Sequence, residues 1–147
     1  MIQTIPKQKE PIIYNSFEYL YKKTQNWLLE IYFIKTELNF LKELIAEHVI
    51  GICKTENFNE AKLYLTGIEH EIILNDKLTK SIKKHAINLS LLTDGVYLSK
   101  QQEIRKNHTL LKIEVDNYKE NLKYMKQQTF ELILKVMKKC KSKKLLK

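Results

Sequence analysis

The sequence predicts an all-α protein, an antiparallel bundle of three long helices with an extended N-terminal arm. Three observations lead there. Turn formers are scarce: the 147 residues include only 3 Gly and 2 Pro, and both prolines, Pro6 and Pro11, lie in the first eleven. The 136 residues that follow hold no helix breaker other than Gly51, Gly67 and Gly95, whereas β-containing folds need Gly and Pro at many turns. Apolar residues also recur at alternating intervals of four and three through three long stretches. A chain of this length makes one domain the default.

Residues 1–15 read as the arm. Pro6 and Pro11 favour extended backbone for themselves and the residues before them. Ile2, Ile5, Ile12, Ile13 and Tyr14 are too apolar for a purely solvated tail, so the second half of the arm is expected to lie against the bundle. Ser16 then offers an N-cap, with Tyr19 rather than Glu at the capping-box position. From there Leu20, Thr24, Trp27, Ile31, Ile34, Leu38, Leu41, Ile45 and His48 form an unbroken seam, which predicts a first helix over about 16–50 that stops at Gly51.

A short link containing Cys53 and Lys54 leads to a second helix over about 56–92, opened by Asn57 with Glu60 three residues on. Its seam is Phe58, Ala61, Leu65, Ile68, Ile72, Asn75, Thr79, Ile82, Ala86 and Leu89. Asn75 and Thr79 weaken the middle, and a polar seam residue fixes register at some cost in stability. Thr93-Asp94-Gly95 is a turn. The third helix, over about 97–140, has its seam at Ile104, His108, Leu111, Val115, Tyr118, Leu122, Met125, Thr129, Leu132 and Val136. The interval from Val96 to Glu103 reads either as its start or as a loop over the bundle end. The helix is expected to fade near Cys140, leaving a basic tail over 141–147. Cations there are favoured by the negative end of the macrodipole. The domain organisation is thus an arm (1–15), a bundle (16–140) and a tail (141–147), with no repeat of 20–50 residues.

The net charge of +9 is unevenly placed. The last ten residues carry six lysines (Lys138, Lys139, Lys141, Lys143, Lys144 and Lys147) and no acid, so the preceding 137 carry only +3. The chain is rich in Lys, Ile and Asn and has a single arginine, Arg105. An AT-rich genome produces that bias without selection for binding, and Arg poverty removes the usual bidentate contacts to phosphate and base. The tail reads as a solvated helix terminus, a nucleic-acid contact or an anchor on an acidic surface; several lysines suffice for salt-sensitive, sequence-independent binding. Two unpaired cysteines, Cys53 and Cys140, suit a reducing, cytoplasmic setting. The first seventeen residues lack a signal-peptide core, and no run is long enough to span a bilayer.

Catalytic chemistry finds little footing. None of the four histidines (His48, His70, His85 and His108) has Glu three residues before it, as di-iron bundles require. Glu47-His48 and Glu69-His70-Glu71 diverge by about 100° per residue around a helix. His48 and His108 sit on seams and would meet under a suitable stagger, each reading as a satisfied, partly buried histidine. Cys140 lies among lysines that lower a thiol pKa, but no motif positions a base beside it. The glycines stand alone, so no loop cradles phosphate. The expectation is a non-enzymatic protein without metal or cofactor.

The stretch Trp27-Leu28-Leu29-Glu30-Ile31-Tyr32-Phe33-Ile34 is apolar on every side, unlike an ordinary surface helix with one apolar stripe. Trp27, Ile31 and Ile34 belong to the seam. Leu29, Tyr32, Phe33 and Phe40, with Tyr19 earlier, point away from it. At ~25 cal/mol per Å² and ~150 Å² or more per aromatic, their burial is worth several kcal/mol. Either the N-terminal arm covers this outer face, or a second copy of the chain does, with Phe130, Leu134 and Met137 of the third helix joining the interface. The homodimer is the favoured reading, because an arm of fifteen residues covers little of a helix roughly 50 Å long.

The run from Trp27 to Leu41 resembles a Trp-x-x-Glu-Ile-x-Phe-x-x-x-Glu-Leu-x-Phe-Leu pattern of small uncharacterised helical-bundle proteins of flavobacterial and related bacteria. Tyr118, Leu122, Phe130 and Met137 match a similar pattern in their last helix. The resemblance covers the first and third helices, implies a helical bundle and supplies no activity. It places Glu30 and Glu37 in the pattern, where solvated or Lys-paired edge residues are the plainer reading. Together these readings predict a cytoplasmic interaction protein that self-associates through the outer face of its first helix. The alternative is a bundle that binds nucleic acid or an acidic partner through its tail.

Overall fold

The computed structural model describes residues 16–51 and 58–146. Among them are three long helices and no strand: α1 (Phe17–Ile45), α2 (Phe58–Thr93) and α3 (Gln101–Leu146). A single π turn, Ala46–Gly51, closes α1, and a 3-10 turn, Leu98–Lys100, precedes α3. The arm over 1–15, the link with Cys53 and the Asn57 cap lie outside the described residues.

Local chemistry sets two of the helix ends. The Ser16 carbonyl accepts the first helical bond, from the Leu20 N–H at 3.1 Å, and the Ser16 hydroxyl accepts the Tyr19 N–H at 3.1 Å, satisfying a donor that an uncapped N-terminus leaves open. At the end of α2, Gly95 adopts φ 84°. Its N–H bonds the Leu92 carbonyl at 3.0 Å, and the Val96 N–H bonds that of Leu91 at 2.8 Å. That pairing is a Schellman motif, which needs a left-handed residue and so favours glycine. The interval after Val96 is neither wholly helix nor wholly loop, because the 3-10 turn separates the chain reversal from α3. At the other end α3 does not fade near Cys140 but continues to Leu146. Lysine and leucine are good helix formers, and no Gly or Pro intervenes.

The described residues fall into two compact units, one formed by those of 16–31 with Leu78–Val115, the other by those of 32–77 with those of 116–146. In the second unit Lys35 pairs with Asp76 and Lys42 with Glu69, so α1 and α2 run in opposite directions. Tyr118 bonds Glu71 and Lys135 pairs with Glu60, so α2 and α3 are also antiparallel. In the first unit the order agrees: Leu20, Leu89, Leu92 and Ile104 form an apolar cluster, with Phe17, Tyr19 and Tyr21 packed against it.

The predicted seams of α1 and α3 are the buried ones, with Ile34, His48 and Met125 half-buried. That of α2 needs correction. Ala61, Ile68, Asn75, Ile82, Ala86 and Leu89 are buried as expected, but Leu78, His85 and Leu92 are buried beside them, Thr79 is only half-buried and Phe58 is exposed. Leu78, Ile82, His85, Leu89 and Leu92 are themselves spaced by four and three. Widening the buried face to take in Leu78 and Leu92 removes more apolar surface from water than burying Thr79 would.

Candidate functional site

The outer face is exposed as the sequence predicts. Tyr32, Phe33 and Phe40 of α1 retain 65%, 62% and 55% of their accessible surface, and Phe130, Leu134 and Met137 of α3 retain 43%, 56% and 43%. Five of these share one side of the second unit. Glu37 and Lys126 join α1 to α3 at 2.9 Å. Phe33 and Phe40, four residues before and three after Glu37, flank it on the same side of α1. Phe130, four residues after Lys126, begins a stripe that Leu134 and Met137 continue at steps of four and three. Both apolar stripes therefore border the outer side of the α1–α3 contact. The Glu37–Lys126 pair is the Lys-paired edge role expected of Glu37.

Two members of the expected interface stand apart, and a third residue leaves the face. The Tyr32 ring meets Phe33 edge-on at 5.9 Å, yet Tyr32 lies on the side of α1 where Lys35 reaches Asp76. Leu29, 58% exposed, belongs to the first unit. Tyr19, placed on the outer face by its spacing, instead packs half-buried against the cluster of Leu20, Leu89, Leu92 and Ile104. Of the basic residues, Lys138 and Lys141 are exposed helical residues and Lys139 is half-buried. Lys143 and Lys144 fall on the last turns of α3, with side chains outside the described residues, as is all of Lys147.

The first unit holds a polar centre that sequence reading missed. His108 meets His85, not His48, which belongs to the second unit. His85 Nε2 and His108 Nδ1 lie 2.8 Å apart, with the two residues only 1% and 8% exposed. Trp27 stacks on the His108 ring at 4.7 Å between centroids, and Asn107 Nδ2 is 3.4 Å from His85 Nδ1. If the Asn107 amide donates, His85 Nδ1 is the acceptor, and its Nε2–H then donates to His108 Nδ1. Both rings are neutral by this chemistry. Burial, then the neighbouring His108, lowers the His85 pKa to about 4. Burial, then Lys23 and Lys112, lowers that of His108 to about 4. The signal that finds His85 is the alternative α2 seam through Leu78 and Leu92.

An open groove of about 690 Å³ runs beside this centre, with His85, Ile104 and Leu111 among its lining. Lys84, Lys100 and Lys106 line it together with Glu103 and Glu114, so both signs of charge are present and no single ligand charge is selected. Among the described residues of the second unit Asn75 and Thr129 are buried and polar; Asn75 hydrogen-bonds the Tyr118 side chain, and the Tyr118 hydroxyl donates to the Glu71 carbonyl at 3.1 Å. Burial pushes the Tyr118 hydroxyl up to about 12, so it remains a donor.

No family model matches the chain, and no curated protein or solved structure matches it. Among the described residues no group of three or more His, Cys, Asp or Glu is placed to hold a metal ion. No described helix is long and apolar enough to cross a membrane.

Proposed function

We propose that this protein is a non-enzymatic interaction protein that self-associates through the outer side of its α1–α3 contact. The observation that carries the reading is the exposed apolar stripe pair, Phe33 and Phe40 beside Phe130, Leu134 and Met137. These five side chains present on the order of 500 Å², at ~150–250 Å² per large side chain and about half exposure. That is near the upper end of the largest patch on an ordinary monomer, roughly 300–600 Å², and is more than half of the ~800 Å² each partner gives to a standard interface. A two-fold symmetric contact uses one patch twice, so such a surface needs no second, complementary site.

Light scattering at micromolar concentration tests this. The wild-type chain is expected to be a dimer and the Phe33→Glu/Phe40→Glu variant a monomer of unchanged helicity. A monomeric wild type overturns the reading. If that monomer associates once residues 1–15 are deleted, the arm is the occupant of the face.

A further inference from the structure

We propose that the buried His85–His108 pair, with Trp27 stacked on it, is an acid-sensitive latch that opens the first unit in mildly acidic solution and leaves the second unit folded. With the Asn107 amide donating, a second proton on the pair breaks a hydrogen bond wherever it is placed among the three bonded nitrogens. The 2.8 Å contact between two ring nitrogens requires one of them to be unprotonated, and the 3.4 Å approach of the Asn107 amide occupies the other nitrogen of His85. Protonating His85 there sets an imidazolium N–H against the amide donor. Protonating both facing nitrogens removes the bond altogether.

The surroundings offer such a charge little help. Lys23 on α1 and Lys112 on α3 act on His108 as like charges. Lys84 of α2, Lys100 of the connecting turn and Lys106 of α3 stand around the groove beside His85. Against them are Glu103 and Glu114 of α3, which line the same groove but are exposed to water. Deep burial penalises the charged form further. The ring therefore gains its proton most readily by leaving the core, which separates α2 from α3 and frees Trp27.

The direction follows from linkage. The folded value of about 4 lies below the ordinary 6.5 of an accessible histidine. The closed state is therefore fully favoured above pH 6.5 and loses that advantage as pH falls toward 4. For one such histidine the open population rises about twentyfold between pH 7 and pH 5.

Hydrogen exchange by mass spectrometry on the full chain, corrected for the intrinsic pH dependence of exchange, tests the proposal. Between pH 7 and pH 5, amides in 78–115 are expected to lose protection by roughly that twentyfold factor, while those in 58–77 and 116–136 keep theirs. Emission from Trp27, the one tryptophan of the chain, should shift to the red over the same range. A His85→Gln/His108→Gln variant, which keeps polar side chains and cannot titrate, should lose the response. Equal protection at both pH values, or acid opening retained in the variant, overturns the latch. If the variant does not fold, NMR titration of the wild-type histidines decides: values well below 6.5 for both support the latch, and a value near 6.5 for either refutes it.

Discussion

The two units solve the problem of joining three helices in different ways. The first is tied from the inside, by a neutral histidine pair stacked on a tryptophan and an adjoining cluster of Leu20, Leu89, Leu92 and Ile104. The second carries its cross-links at the surface: Lys35–Asp76, Lys42–Glu69, Glu37–Lys126 and Lys135–Glu60 bridge helices there, over an interior where Asn75 and Tyr118 form the polar contact. Partly exposed ion pairs contribute about 0–1 kcal/mol each. Buried neutral histidines contribute more and depend on pH. A surface-laced unit can leave an apolar face open for a partner, whereas an internally laced one responds to its solvent.

The largest expected effect of a single substitution lies in the first unit. Trp27 is 5% exposed and covers the His108 ring. Trp27→Ala should cost about 3–5 kcal/mol by leaving a cavity against a polar pair. Urea unfolding followed by circular dichroism checks it, and a loss below about 1 kcal/mol would mean that the stack does not hold this unit together.

Next in size is the polar contact of the second unit. Tyr118→Phe removes the donor to the Glu71 carbonyl and the partner of buried Asn75. It should cost about 1–2 kcal/mol in the same assay. Because the Tyr118 hydroxyl is uncharged through neutral pH, this loss should be equal at pH 7 and pH 5, in contrast to the acid response of the histidine pair.

The smallest effect has the opposite sign. Gly67 lies inside α2, and a Cβ there would meet only the Met125 methyl at 3.6 Å, an ordinary contact. Gly67→Ala should stabilise the chain by about 0.5–1 kcal/mol through the unfolded state and helix propensity. Exchange protection should rise in the second unit, and a destabilised variant would show that α2 and α3 need closer packing than the 3.6 Å gap implies.

The sequence by itself determined the helices and most of their inward faces. Scarce Gly and Pro together with four-and-three spacing leave few alternatives, and Ser16 and Gly95 mark their ends through local hydrogen bonds that need no tertiary partner. The exposure of Phe33, Phe40, Phe130, Leu134 and Met137 was equally legible, since the side of a helix opposite its seam follows from periodicity alone. Only the tertiary structure decided how wide a face α2 buries. Two overlapping seams share Asn75, Ile82 and Leu89, and which flanking residues join them inside depends on the neighbours that lie across from the helix. That packing buries Leu78 and Leu92 and brings His85 onto His108. Stagger between helices is a long-range property, so spacing within one helix shows which residues face inward and leaves open which residues meet.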